Sequence, residues 1–163
     1  MDSEQTPPEG EDPALTVAKR CASSMWGQDQ ASRRLGMQLT DVGPGHATLT
    51  MTVREDMVNG HGSCHGGFIA ALADSAFAFA CNTYGQVTVA AGFDITFIAP
   101  AALGDELVAQ AVERARFGRS GLYDVTVTCR RGSRFAVIAE FRGRSRSLRR
   151  SPDGQLSSGI DGP

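Results

Sequence analysis

His65-Gly66-Gly67-Phe68-Ile69-Ala70-Ala71-Leu72-Ala73-Asp74-Ser75-Ala76-Phe77-Ala78-Phe79-Ala80-Cys81-Asn82 is the stretch that decides the fold. Between Gly67 and Cys81 every residue is apolar or small except Asp74 and Ser75. Such a run of Ala, Leu and Phe predicts a helix with apolar side chains on all its faces, and therefore a buried one. A lone carboxylate halfway along a buried helix is costly unless it is paired, hydrogen-bonded or held neutral, so Asp74 points to a function.

Working outward, residues 54–64 carry no periodicity and contain Asn59, Gly60, His61, Gly62 and Ser63, a loop leading straight into the helix. Before it, Ala47, Leu49, Met51 and Val53 alternate with threonines as a half-buried strand. Gly43-Pro44-Gly45 is a turn and 35–42 a further strand. Earlier still, 13–26 fits an amphipathic helix with Asp12 as N-cap, Pro13 at the first helical position and Gly27 to end it. After Asn82 the chain turns through Tyr84 and Gly85. Four consecutive strands follow, with faces Phe93/Ile95/Phe97, Leu107/Ala109/Ala111/Ala115/Phe117, Tyr123/Val125/Val127/Cys129 and Phe135/Val137/Ala139/Phe141. The expected class is α+β, a mostly antiparallel sheet wrapped round one long helix.

The chain of 163 residues suits one domain, placed at 13–147. Residues 1–12 hold five acidic and no basic side chains and read as a disordered acidic tail; 148–163 is polar and reads as a flexible C-terminal tail. A net charge of −2 does not call for nucleic acid. Eight arginines nonetheless crowd between Arg130 and Arg150, either as a solvated edge or as a site for a phosphorylated ligand. Cys21, Cys64, Cys81 and Cys129 show no Cys-x-x-Cys spacing and no signal peptide precedes them, which suggests reduced thiols in a cytoplasmic protein. The central stretch is too short, and too interrupted by Asp74, for a membrane span.

A helix entered through Gly66-Gly67 exposes unpaired N–H groups at its first turn, and with the helix dipole these form an oxyanion hole that a substrate can approach closely. The alternative is that the two glycines only permit a tight turn. Asp74 lies eight residues on, roughly 12 Å along the axis, so it cannot act with Gly66 of its own helix on one bond. Two chains with antiparallel central helices would bring each Asp74 to the other's Gly66. Alternatively, Asp74 is structural, hydrogen-bonded to backbone or to Ser. Asn59 and His65 flank the helix entrance. There the amide can orient a carbonyl or water and the imidazole can assist proton transfer, or both simply stabilise the loop. His61, Cys64 and His65 make a poor metal set because adjacent Cys and His side chains seldom converge. Cys64 before the helix is a rival nucleophile.

The run Asn59 to Gly67, continuing through Leu72-Ala73-Asp74-Ser75 to Asn82, resembles the hotdog-fold acyl-CoA thioesterases of the phenylacetic-acid-degradation (PaaI) type. Asp94-Ile95-Thr96-Phe97 with Pro100, Gly104-Asp105, Gly121-Leu122-Tyr123-Asp124-Val125 and Phe141-Arg142-Gly143-Arg144-Ser145 extend the likeness over about 13–147. The resemblance implies a cytoplasmic enzyme that hydrolyses an aromatic acyl-CoA, such as phenylacetyl- or hydroxyphenylacetyl-CoA, without metal or redox cofactor. It implies dimers with a continuous sheet and shared active sites, commonly paired into tetramers. By carry-over, Gly66 polarises the thioester carbonyl, Asp74 of the partner chain is nucleophile or base, and Asn59 and His65 position thioester or water. Gly67, Arg119, Ser120, Arg142 and Arg144 are the candidates for contacting the rest of the substrate. Alternatives are medium-chain or hydroxybenzoyl-type CoA esters, or a non-catalytic acyl-CoA sensor on the same fold. A hotdog hydratase would pair its acid with a nearby histidine, and none follows Asp74.

Overall fold

A computed structural model describes residues 10–149; the tails expected at 1–12 and 148–163 fall mostly outside them. Helix α1, Pro13–Gln28, begins as anticipated: the Asp12 carboxylate accepts the Ala14 N–H at 3.0 Å and Pro13 takes the first turn. Gly27 does not end it. The chain runs on to Asp29, whose side chain accepts from Ser32 and caps a further five-residue helix, α2, Gln30–Arg34, that periodicity does not reveal.

Strands β1 (Gln38–Gly43) and β2 (His46–Thr52) form a hairpin through Gly45, which has a positive φ. Helix α3, Gly66–Cys81, follows, and then β3 (Thr88–Phe97), β4 (Glu106–Phe117), β5 (Ser120–Arg131) and β6 (Arg134–Ser147). All pairings are antiparallel in the order β1-β2-β4-β5-β6-β3, so β1 and β3 are the two edges. The sheet curls round α3, the hotdog arrangement that the resemblance implies. Beyond the expected boundary at 147, the N–H of Leu148 still donates to Val87.

The core lies between α3 and the concave sheet. Leu72, Ala76, Phe77 and Phe79 of α3 are buried against Leu49, Met51, Leu107, Val125, Val127 and Phe141. Phe77 packs at 5.6 Å on Tyr123 and 5.8 Å on Phe141, and Gly143 makes this possible. A Cβ there would sit 2.8 Å from the Phe77 ring.

Three expected strand faces do not run straight. Ala115 and Phe117 are exposed, although Leu107, Ala109 and Ala111 are buried, because a bulge at Glu113/Ala115 shifts the phase. Phe135 and Val137 are likewise exposed while Ile138, Ala139 and Phe141 are buried; the irregularity opposite Val127/Thr128 lies between them. β3 starts at Thr88 rather than Phe93, since a bulge at Ala90/Gly92 interrupts its alternation. Phe93 and Phe97 are half exposed on this edge strand although Phe93 stacks on Phe141.

Helix α3 itself is not buried on every face within one chain. Gly67 is exposed and Ala71, Asp74 and Ala78 are half-buried. Their spacing of four, three and four residues makes one narrow stripe of small side chains.

Candidate active site

The loop before α3 is strapped down at several points. Val58 and Cys64 form an isolated antiparallel bridge, the His65 N–H donates to Met57 at 2.7 Å, and the Cys64 N–H donates to Ala101 at 2.8 Å. Asn59 organises the tip: its Oδ1 accepts the N–H groups of His61 at 2.9 Å and Ser63 at 3.3 Å, and its own N–H donates to Ser63. Asn59 is therefore a loop stabiliser through its oxygen. Among the described residues its Nδ2 has no partner, which leaves both amide N–H donors for a ligand.

His65 is the N-cap of α3, and its Nδ1 accepts the Gly67 N–H at 3.1 Å. This consumes the Gly67 donor, so of the two glycines only Gly66 offers its N–H; among the described residues it donates to nothing. A neutral imidazole that accepts at Nδ1 carries its proton on Nε2, so exposed His65 presents a second donor beside Gly66. A side chain at Gly66 would have to push the Phe97 ring aside. A Cβ on Gly66 would lie 2.8 Å from Cζ of Phe97, whose ring edge rests over that position.

Asp74 lies on the half-exposed stripe of α3. Its Oδ1 is shut off from solvent without a hydrogen-bond partner among the described residues, and burial pushes the carboxyl above its ordinary value. The alternative of a structural carboxylate hydrogen-bonded to backbone or Ser finds no such bond at Oδ1 among the described residues, and the Ser75 hydroxyl is hydrogen-bonded at 2.8 Å to Ser32 of α2. Asp74 Oδ1 is the one buried side-chain polar atom without a partner among the described residues.

Cys64 is 5% exposed and burial raises its thiol pKa, the reverse of what a nucleophilic thiolate needs. Cys81, the last residue of α3, is pushed up to about 12 by burial. No three His, Cys, Asp or Glu side chains among the described residues come together as a metal site. No helix among them is long and apolar enough to cross a membrane.

The arginine candidates separate into two groups. Arg142 grips Asp124 at 2.6 and 2.9 Å, and Arg144 pairs with Asp94 at 2.6 Å, so both are committed to cross-strand partners. Arg119 has no ion pair among the described residues and, with Ser120, lines a cavity of about 300 Å³ beside Cys81, Tyr84 and Arg116. That cavity sits at the C-terminal end of α3, roughly 22 Å from Gly66 along the sixteen-residue helix. One chain alone thus keeps Arg119 and Ser120 apart from Gly66. The same corner holds a network that the sequence does not disclose: Tyr84 and Tyr123 both donate to Glu113, at 2.9 and 2.8 Å, and Arg116 stacks on Tyr84. The sequence does not disclose the open groove at Gly66 either; Ser63, Cys64, Ile69, Phe97, Ile98 and Pro100 are among the residues that line its roughly 480 Å³. The alternation of Phe93, Ile95 and Phe97 is the available signal, and it marks a strand face without saying what lies opposite.

The family model described as the thioesterase superfamily matches residues 61–136. The acyl-coenzyme A thioesterase PaaI of Escherichia coli (strain K12) is 39% identical over 127 residues, covering 78% of this chain and 89% of that protein. The solved structure of the E. coli PaaI protein from the phenylacetic acid degradation operon superposes with a TM-score of 0.80 at 37% identity, over 83% of this chain and 96% of that one. A mutant of the phenylacetic acid degradation protein PaaI from Thermus thermophilus gives 0.69 at 36% identity, over 74% of this chain and 100% of its own.

Proposed function

The chain belongs to the thioesterase superfamily, and from that premise we propose that it hydrolyses acyl-CoA thioesters to free acid and CoA, with phenylacetyl- or hydroxyphenylacetyl-CoA as substrate in phenylacetate degradation. One observation carries the mechanism: α3 holds an unpartnered N–H at Gly66 and an unpartnered, partly sealed carboxylate at Asp74, too far apart to serve one bond from the same chain. The free edge of β3, with Val89 and Phe93 exposed, and the small-residue stripe of α3 leave room for a second copy. Two chains joined there with antiparallel α3 helices bring each Asp74 to the other's Gly66, and such dimers pair into tetramers. Residues 13–147 form the catalytic unit.

In each site the Gly66 N–H, at the positive end of α3, donates to the thioester carbonyl oxygen and stabilises the oxyanion. Asn59 Nδ2 and His65 Nε2 hold the thioester or the water. The partner's Asp74 takes a proton from water as the water oxygen bonds to the carbonyl carbon; collapse then breaks the C–S bond and sulfur leaves with the electron pair, to be protonated as CoA thiol. The same placement permits direct attack by the Asp74 carboxylate to a mixed anhydride that water cleaves. Burial raises the basicity of Asp74, which suits either role. Arg119 with Ser120 is better placed than Arg142 or Arg144 for CoA phosphates, because its guanidinium is not already paired among the described residues. Four free cysteines are consistent with a cytoplasmic setting.

Release of free thiol from phenylacetyl-CoA tests the reaction, and a parent protein that releases none refutes it. Mixing Gly66→Pro chains with Asp74→Ala chains, each inactive alone, tests the shared site. Random exchange should restore about a quarter of parental activity, since half the dimers are mixed and each has one intact site. Exchange without recovery rules out the two-chain site.

A further inference from the structure

The groove beside Gly66 is apolar and open, and a half-exposed aromatic ring forms part of its wall at the reacting position. Phe97 is 51% and Ile98 55% exposed, whereas Ile69 and Cys64 are buried at its floor. Among the described residues no charged side chain lines it, and Ser63 supplies its one hydroxyl. A CoA pyrophosphate would find no cation here, while an uncharged acyl group would cover apolar surface that the single chain leaves wet. The carbonyl oxygen is held by the Gly66 N–H, so the first atoms of the acyl group must lie against whatever covers Gly66. That is the Phe97 ring, whose Cζ is 2.8 Å from the position of a Cβ on Gly66.

Resting on the thioesterase reading above, we propose that Phe97 is the specificity-determining residue of the acyl site: its ring stacks on the aryl part of the acyl group in the Gly66 groove. An offset or edge-on aromatic pair gives the aryl ester an advantage over a straight chain that burial alone does not. Phe97 is suited to this because it stands at the end of β3, where its position is set by the β3–β6 pairing of Phe97 with Ala139 while its ring edge rests over Gly66 in the groove.

The test is the ratio of kcat/KM for phenylacetyl-CoA to that for hexanoyl-CoA, measured for the parent, Phe97→Leu and Phe97→Tyr. Phe97→Leu keeps an apolar side chain without a ring, and the ratio should fall by about two- to tenfold, the usual worth of one aromatic pair. Phe97→Tyr keeps the ring and should hold the parental ratio. Equal losses for both esters in Phe97→Leu, the mark of a merely structural role, would overturn the assignment, as would a fall in the ratio for Phe97→Tyr matching that for leucine. A parent that hydrolyses neither ester overturns the thioesterase reading as well; an active parent with an unchanged ratio in Phe97→Leu overturns the Phe97 assignment alone.

Discussion

Asp74→Asn separates chemistry from stability in one substitution. The amide has the shape of the carboxyl but can neither take a proton from water nor attack a carbonyl, so turnover should drop by about 10²- to 10⁴-fold, the usual contribution of a positioned base. The fold should gain. In the native chain the Asp74 carboxyl titrates above its ordinary 3.8 because burial disfavours the charge. Between 3.8 and the raised value the folded protein keeps a proton that the unfolded chain has lost, so ionisation subtracts stability as pH climbs through that window. Asn carries no such penalty. The gain is the desolvation cost of the charge alone, because the amide oxygen that replaces Oδ1 is equally buried and unpartnered. For a chain of this length each kcal/mol of that gain raises Tm at neutral pH by about 2–4 °C. Calorimetry across pH, beside thiol release from phenylacetyl-CoA, reads both effects. The gain should shrink toward about pH 4 and vanish below it. Turnover within a few-fold of the parent, or a variant less stable than the parent at neutral pH, would refute the role given to Asp74.

Three other substitutions or treatments probe separate parts of the molecule. Asp105, held at about 2 by Arg131 and by the Ala102 N–H, contributes stability above 3.8 that is lost as pH falls through about 2; Asp105→Asn should lower Tm at about pH 6, with the gap closing only below about pH 2. Phe77→Ala should cost about 3–5 kcal/mol in denaturant unfolding, since the ring is fully buried against Tyr123, Phe141 and the space left by Gly143. Iodoacetamide at about pH 8 should leave thioesterase activity intact, because the Cys64 and Cys81 thiols are buried with raised pKa; inactivation tracking modification of Cys64 would revive a cysteine mechanism.

The residues legible from sequence are those whose meaning is local. An apolar run with one carboxylate, and a glycine at a helix entrance, show within a few positions, so the helix α3, its open first turn at Gly66 and the isolated carboxylate of Asp74 are all recognisable. What escapes depends on partners distant in the chain. Whether Arg142 is free or paired is decided by the register that sets it opposite Asp124, and Arg144 by its reach across to Asp94 on β3. Strand faces are legible only as far as the first bulge, beyond which an extra residue turns Phe117, Phe135 and Val137 outward. Helix α2 is too short for periodicity, and its one sign is the spacing of Asp29 to Ser32, an N-cap signature. His65 suggests a proton carrier by its residue type alone; the structure shows its Nδ1 already spent on a cap.

The order of strands in the sheet also governs how the protein is made. Strand β3 emerges from the ribosome right after α3, yet its only neighbour in the sheet is β6, which begins about 37 residues after β3 ends. Until Arg134–Ser147 has been synthesised, β3 has no template, and Phe93 and Phe97 have no sheet to hold them. The β3 edge is therefore among the last surfaces to take shape. Up to that point β3 is a bare strand of a growing chain, the state in which an unpaired strand is most open to pairing wrongly.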